Sequence, residues 1–316
     1  MADTLRIGSR GSRLALWQAE WVKARLEALH SDVAVSIRII KTLGDKILDV
    51  PLARIGDKGL FTKELEKAIL DGEVDLAVHS LKDLPTNLDA GLAIGAVCAR
   101  EDYRDAFLSP DRRKLADLPP GAVIGTSSLR RRAQLLAAHP HLGIADLRGN
   151  VDTRVRKVLD ERRYDGAVLA LAGLKRLGLA GRVTEILGPD RIVPAVGQGA
   201  MAIEIREGDA RVAERIAGLH DPDTAHAVRC ERAFLRRLEG GCQVPIGALA
   251  LVEGGSVTFH GFIGDLEGKR TWRTTETFGR DESPEAIGGR VAEDLLGKGA
   301  RAVLEEIFAQ ARSGKA

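Results

Sequence analysis

Residues 4–16 read TLRIGSRGSRLAL, and residues 122–132 read AVIGTSSLRRR. Each is a short apolar run that stops at a glycine, passes through small hydroxyl-bearing residues and opens into a helical pattern. Strand, polar turn and helix N-terminus in that order make half of a βαβ unit. Meeting the pattern twice, on either side of Pro119-Pro120, predicts two α/β lobes of similar build.

The flanking chain extends both units. Leu14 to His30 forms a helix with Leu14, Trp17, Trp21, Val22, Leu26 and Leu29 on one face, and Val35 to Ile40 is the next strand. Lys63 to Leu70 is helical, and Val74 to Val78 is an apolar run that ends at His79-Ser80. Leu92 to Val97 has the composition of a buried strand. After the second turn come a strand at Ile144 to Leu147, a helix over Thr153 to Arg163 and a strand at Gly166 to Ala170. Such alternation predicts parallel sheets, with ligands bound beyond the carboxyl ends of the strands. Pro194 to Ile205 carries the chain back to the first lobe. From about Asp221 the order becomes helix, three strands (246–251, 257–263, 271–278) and two helices, a third domain of α+β type.

The charge total is near balance, with 47 Lys and Arg against 45 Asp and Glu, and aromatic residues make up only 4%. That argues against a nucleic-acid footprint. No apolar run reaches 18 residues, and no apolar segment precedes the first strand, so a cytoplasmic chain without membrane spans is expected. The three cysteines, at 98, 230 and 242, are odd in number and widely spaced, which encodes neither a disulfide framework nor a zinc ribbon. HPH at 139–141 lacks companions for a metal site.

Arginines cluster where anions bind. Arg10 and Arg13 lie in the first strand-to-helix turn, and Arg130 to Arg132 lie just past the second. Arg148, Arg154 and Arg176 follow strands or open helices of the second lobe. Helix N-terminal N–H groups, the hydroxyls of Ser12 and Ser128, and guanidinium forks together suit a ligand with several carboxylates or phosphates. Arg132, Arg156, Arg162 and Arg163 read instead as solvated faces or salt bridges. In HSLKDLP (79–85), an apolar strand delivers Lys82 and Asp83 to its carboxyl end, as an anion anchor with a working carboxylate or as a turn with a surface ion pair. His79 reads as a packed histidine. Cys242, in EGGCQVPIG (239–247), is either a small buried hydrophobe or a reactive thiol on an accessible loop. The absence of G-x-S-x-G and of an assignable histidine base leaves a hydrolytic triad without support.

Eight ordered stretches resemble the porphobilinogen deaminase (hydroxymethylbilane synthase) family: RGSRLALWQ (10–18), KGLFTKELE (58–66), DLAVHSLKDLP (75–85), GTSSLRRR (125–132), LRGNVDTR (147–154), LAGLKRLGL (171–179), PAVGQGA (194–200) and LEGGCQVPIGA (238–248). The resemblance spans essentially the whole chain. It implies two periplasmic-binding-protein-like α/β lobes plus a C-terminal α+β domain: domain 1 from 1–99 with 198–217, domain 2 from 100–197, and domain 3 from 218–316. It also implies a monomeric transferase that condenses four porphobilinogen molecules head to tail, with loss of ammonia, onto a dipyrromethane joined to Cys242 through a thioether, and then releases hydroxymethylbilane by hydrolysis. By that resemblance Asp83 is catalytic, and Arg10, Ser12, Lys82, Ser128, Arg130, Arg131, Arg148, Arg154 and Arg176 bind cofactor and substrate carboxylates. Arg54, where many relatives carry lysine, and Phe61 fall in a glycine-punctuated segment with the character of a flap; Phe61 packs either on a pyrrole or in a core. No metal is implied.

Two other classes remain for comparison. A two-lobed anion receptor accounts for the lobes and the arginines but gives Cys242 and Asp83 no joint task. A nucleic-acid binder conflicts with the charge balance and with the lack of interleaved aromatics.

Overall fold

The structure, a computed structural model, describes residues 3–46, 62–239 and 244–312. Its strands, in chain order, are β1 (Asp3–Ser9), β2 (Val33–Ile39), β3 (Leu76–Ser80), β4 (Leu92–Val97), β5 (Asp105–Leu108), β6 (Val123–Gly125), β7 (Gly143–Ala145), β8 (Gly166–Ala170), β9 (Glu185–Leu187), β10 (Met201–Arg206), β11 (Ile246–Glu253), β12 (Ser256–Gly264) and β13 (Thr271–Gly279). The helices are α1 (Arg13–Leu29), α2 (Leu43–Lys46), α3 (Lys63–Leu70), α4 (Leu129–Ala138), α5 (Val151–Val155), α6 (Leu171–Arg176), α7 (Ala210–Ile216), α8 (Pro222–Arg237), α9 (Pro284–Leu295) and α10 (Arg301–Arg312). Contacts divide the chain into one compact unit of residues 1–49, 57–101 and 199–225 and a second of residues 50–56, 102–198 and 226–316.

The first unit is one α/β lobe. Its sheet runs β2-β1-β3-β10-β4, with β1 parallel to β2 and β3, and β10 antiparallel to both β3 and β4. One core of Leu5, Ile7, Val22, Leu26, Val78, Ile203 and Ile216 packs α1 and α7 against the sheet, and a second of Leu65, Ile69 and Val74 lies under α3. The buried side of α1 is Gln18, Ala19, Val22 and Leu26, whereas Leu29 is 51% exposed and Trp17 and Trp21 are half-buried. The helix is thus turned from the all-apolar face the spacing predicts. The cause is polar: Gln18 Nε2 donates to Ser80 Oγ at 2.9 Å, which draws an amide into the interface. Trp21 lies at the margin instead, with the Arg25 guanidinium over its ring.

The second unit holds two sheets. One runs β7-β6-β8-β5-β9, with β6 parallel to β7 and β8, and β5 antiparallel to β8 and β9. Position for position this is the order of the first lobe, with the antiparallel strand fourth in each. The sheets are therefore mixed, correcting the parallel expectation. β5 and β10 are the strands that follow the chain's crossings at 101/102 and 198/199, and they enter from the opposite end to the βαβ strands. The other sheet is the antiparallel meander β11-β12-β13, packed through Phe234, Phe259, Ile263, Val291 and Leu295 against α8 and α9. Ser283 caps α9, its Oγ accepting from Ala286 N at 3.1 Å with Pro284 in the first turn, as the sequence predicts. The molecule is α/β in two lobes of one topology, with a C-terminal α+β part.

Among the described residues no helix is long and apolar enough to cross a membrane, and no group of His, Cys, Asp and Glu could hold a metal ion.

Candidate functional site

In the first lobe the relevant strands are β1 and β3, which pair directly, Ile7 with Leu76 and Gly8 with Ala77. Their carboxyl ends are therefore neighbours. From β1 the chain passes through Arg10, half-buried, to Ser12, which caps α1: its side-chain oxygen accepts from Ala15 N at 3.3 Å. From β3 it turns through a single 3₁₀ turn, Leu81–Asp83. Leu81 is buried as the pivot, its N–H donating to Ala200 O at 3.0 Å. The turn carries Lys82, half-buried, and Asp83, exposed. The hydrogen bond from Gln18 to Ser80 ties α1 to the last residue of β3. Arg10, Ser12, Lys82 and Asp83 thus share one edge of the first sheet, brought together because parallel strands place their loops on the same side.

The second lobe repeats the construction with different side chains. The three parallel strands β7, β6 and β8 end along one edge. β6 leads through Thr126 to Ser128, the cap of α4, whose Oγ accepts from Arg131 N at 3.4 Å. β7 leads to Arg148, and β8 leads into α6, which ends at the buried Arg176. Arg130 and Arg131 are 4% and 6% exposed, and both engage Asp105, a fully buried carboxylate at the start of β5. Arg130 Nη1 lies 2.8 Å from Asp105 Oδ2, and Arg131 Nη2 lies 2.7 Å from Oδ1. Gln198 Nε2 donates to Oδ1 as well, at 3.0 Å. Burial alone would raise the Asp105 carboxyl, but the two guanidinia more than offset it and hold the group well below the ordinary carboxylate range. Burial also lowers the pKa of Arg130.

This arrangement consumes some guanidinium donors and leaves others. Among the described residues, the buried Arg130 Nε and Arg148 Nη1 have no hydrogen-bond partner. An orphaned N–H in a buried guanidinium is costly unless a ligand acceptor completes it. Two such atoms in one lobe fit a ligand bearing carboxylates. Arg154 acts within its own loop: its Nε donates to Gly149 O at 2.7 Å, bracing the turn that presents Arg148, where Gly149 sits at φ +113°. Arg156 and Arg163 form surface ion pairs with Glu161, and Arg162 pairs with Asp111, in line with their reading as salt bridges, and Arg132 Nε donates to Leu266 O.

Cys242, Arg54 and Phe61 lie outside the described residues. The flanks of the cysteine loop are described: Leu238 and Val244 are buried on either side of it, and Glu239 leaves α8 at φ +52°. The other two cysteines are core residues. Cys98 and Cys230 are fully buried, and burial pushes the Cys230 thiol up to about 12, so it is not a nucleophile at neutral pH.

Sequence reasoning missed Asp105, Gln198 and Gln18. Asp105 opens a four-residue strand with no alternation to mark it. Gln18 is polar and lies off the face assigned from apolar spacing, so nothing local marks it as buried.

A family model described as "Porphobilinogen deaminase, dipyromethane cofactor binding domain" matches residues 5–214, and one described as "Porphobilinogen deaminase, C-terminal domain" matches residues 225–297. The chain is 55% identical over 303 residues to the porphobilinogen deaminase of Syntrophotalea carbinolica, covering 96% of each chain. It is 52% identical over 318 residues to that of Gloeobacter violaceus, covering 99% of this chain and 96% of the relative. Among solved structures, a methionine-binding protein, MetQ, superposes with a TM-score of 0.46 at 13% identity, covering 73% of this chain and 96% of that one.

Proposed function

The chain belongs to the porphobilinogen deaminase family, a transferase family of tetrapyrrole synthesis, and from that premise we propose how its own residues carry the reaction. The substrate is porphobilinogen, and the resident cofactor is a dipyrromethane joined by a thioether to Cys242. When bound, that group supplies the free pyrrole α-carbon to which each new unit is joined. Four porphobilinogen units are added in turn, and hydrolysis then releases hydroxymethylbilane.

Every unit brings an acetate and a propionate, so the chain's first task is to hold many carboxylates away from bulk water. Arg130, Arg131, Arg148, Arg154 and Arg176 do this in the second lobe with Ser128, and Arg10, Ser12 and Lys82 do it in the first. The observation that carries this reading is the orphaned pair of buried donors, Arg130 Nε and Arg148 Nη1. Paired guanidinium N–H groups match carboxylates, and desolvated charge left without a partner is costly. Asp105 keeps the two adjacent arginines charged and aimed before any ligand arrives.

The second task is to manage charge as ammonia leaves. The substrate's ammonium leaves as ammonia with the electron pair of its C–N bond, positive charge spreads over the substrate's pyrrole, and the dipyrromethane would supply the carbon that takes up the new unit and gives up a proton. Asp83 sits on a short turn with an exposed carboxylate, suited to accept the pyrrole N–H, stabilise the cation and assist the final deprotonation. As part of the same proposal the enzyme acts as a cytoplasmic monomer of three domains, 1–99 with 198–217, 100–197 and 218–316, with Arg54 and Phe61 belonging to a flap.

Intact-mass analysis of freshly purified protein tests the reading. A gain equal to two pyrrole units, localised to the peptide containing Cys242 and lost in Cys242→Ser, is the expected result. A mass equal to that of the translated residues, with no colour from Ehrlich's reagent, would overturn it and favour a plain anion receptor.

A further inference from the structure

The first lobe buries an imidazole and two carboxylates that the reaction above does not use. His79, on β3, is 6% exposed, and its Nε2 lies 3.0 Å from Oε2 of Glu204, on β10, which is fully buried. Glu66, on α3, is 4% exposed. Burial raises its pKa, against a hydrogen bond with Thr62 that lowers it, and the charge of Glu204 adds to the rise. Among the described residues, neither oxygen of Glu204 nor Nε2 of His79 has a hydrogen-bond partner, so the 3.0 Å approach joins two polar groups that lack any other.

Such a pair is a poor device for stability, since apolar residues of similar volume commonly do as well. What it can do is fix register. β3 buries Leu76, Ala77, Val78 and His79 in succession, and β10 buries all of Met201 to Ile205. With both faces covered, apolar alternation no longer distinguishes one pairing from a slipped one. Only a residue that cannot be moved without cost does so. In the observed register Ala202 faces His79 and Glu204 faces Ala77, which puts the two polar side chains on the same face, two positions apart. A slip would strand Glu204 in an apolar interior. The next residues after His79 are Ser80 and the turn Leu81–Asp83, held by Leu81 N to Ala200 O on the approach to β10.

We propose that His79 and Glu204 are positioning residues, a buried register pin that sets where β3 ends and therefore where Lys82 and Asp83 project. The pin does not touch substrate. Its kinetic consequence rests on the reading of Asp83 as catalytic, whereas its structural consequence does not.

The test uses the holoenzyme and two double variants. His79→Leu/Glu204→Leu removes the pin, and His79→Glu/Glu204→His restores it with the partners exchanged. Hydrogen exchange of the Leu81 and Leu84 amides is read alongside kcat and KM for porphobilinogen. The expected result is that the leucine pair folds and melts near the wild-type temperature but loses protection at those two amides, with kcat down by about 10²-fold, as misplacement of about 1 Å can cost. The exchanged pair recovers both. Wild-type protection and kcat in the leucine pair would overturn the proposal, as would a loss of protection spread over the whole lobe. If the leucine pair does not fold, the apolar and closer-sized His79→Phe/Glu204→Met carries the same readout. A wild-type enzyme inert toward porphobilinogen would instead overturn the proposed function, and the exchange data would still decide the pin.

Discussion

The two lobes share one strand order, and each carries a buried acid on its antiparallel fourth strand, Glu204 on β10 and Asp105 on β5. What surrounds the acid differs. Asp105 accepts from Arg130, Arg131 and Gln198, a network that satisfies both oxygens and holds a charged surface ready for anions. Glu204 meets an imidazole and lies near a second buried acid, Glu66, with no guanidinium beside it among the described residues. The strand edges differ in the same sense, since the first lobe presents an exposed Asp83 and the second presents buried guanidinia. One topology thus supplies a strand edge and a capped helix twice, and on the proposed reading the loops divide the labour: the working carboxylate Asp83 belongs to the first lobe, beside its anchors Arg10, Ser12 and Lys82, and the buried guanidinia belong to the second. Fold and task are separable because the backbone fixes only where a loop emerges.

If that division is right, substitutions should fail in different ways in the two lobes. Asp83→Asn should lower kcat by at least about 10³-fold, the scale of losing a positioned charge at a developing cation. The mass gain on the Cys242 peptide and the unfolding midpoint should stay at wild type. Arg130→Ala should do the reverse, costing about 3–5 kcal/mol by leaving Asp105 under-compensated in the core. Denaturant unfolding should report that loss, and mass spectrometry should show the cofactor poorly assembled. A second-lobe variant with normal cofactor content and normal turnover would end the assignment of its arginines.

A smaller effect should appear with pH. The folded-state carboxyl of Asp105 lies below its ordinary value of 3.8, so its contribution to stability is fully present above about pH 4 and is lost as pH falls from there toward the folded-state value. Asp105→Asn removes that dependence. The variant should therefore be less stable than wild type at neutral pH, with the difference shrinking in acid; urea midpoints between about pH 2 and pH 7 check it. The smallest effects belong to the matched helix caps. Ser12→Ala and Ser128→Ala should each cost about 1 kcal/mol of stability, equal in the two lobes if the hydroxyls only cap. The proposed binding role adds a loss of substrate affinity to that cost; unchanged affinity in either variant would restrict its hydroxyl to capping.

Much of this was legible in the residues. The repeated strand, hydroxyl turn and helix marked two lobes, but Ser12 and Ser128, read from the sequence only as donors to an anion, also cap their helices, each accepting from the N–H three residues on. Arg130, Arg131 and Arg176 were readable as candidates from their positions after strands, but not as buried groups. For Arg130 and Arg131 that burial depends on Asp105, and for Arg130 also on Val193, 25 and 63 residues from Arg130 along the chain. The tilt of α1 onto Gln18 and the antiparallel course of β5 and β10 were equally hidden, since each is settled by a partner far along the chain.

By itself the sequence determined much of the local grammar: the two repeated strand-turn-helix units, the C-terminal order of helix and strands, though not β5, β9, α6 or α7, and which loops carry arginine, aspartate and cysteine. Those follow from propensities and spacings that act over a few residues. Only the tertiary structure decided which of the charged groups lie in the interior, that Asp105 holds two arginines, that two guanidinium nitrogens remain without acceptors, and that His79 meets Glu204. Burial and pairing of charge are properties of packed surfaces contributed by distant segments, and no local rule encodes them.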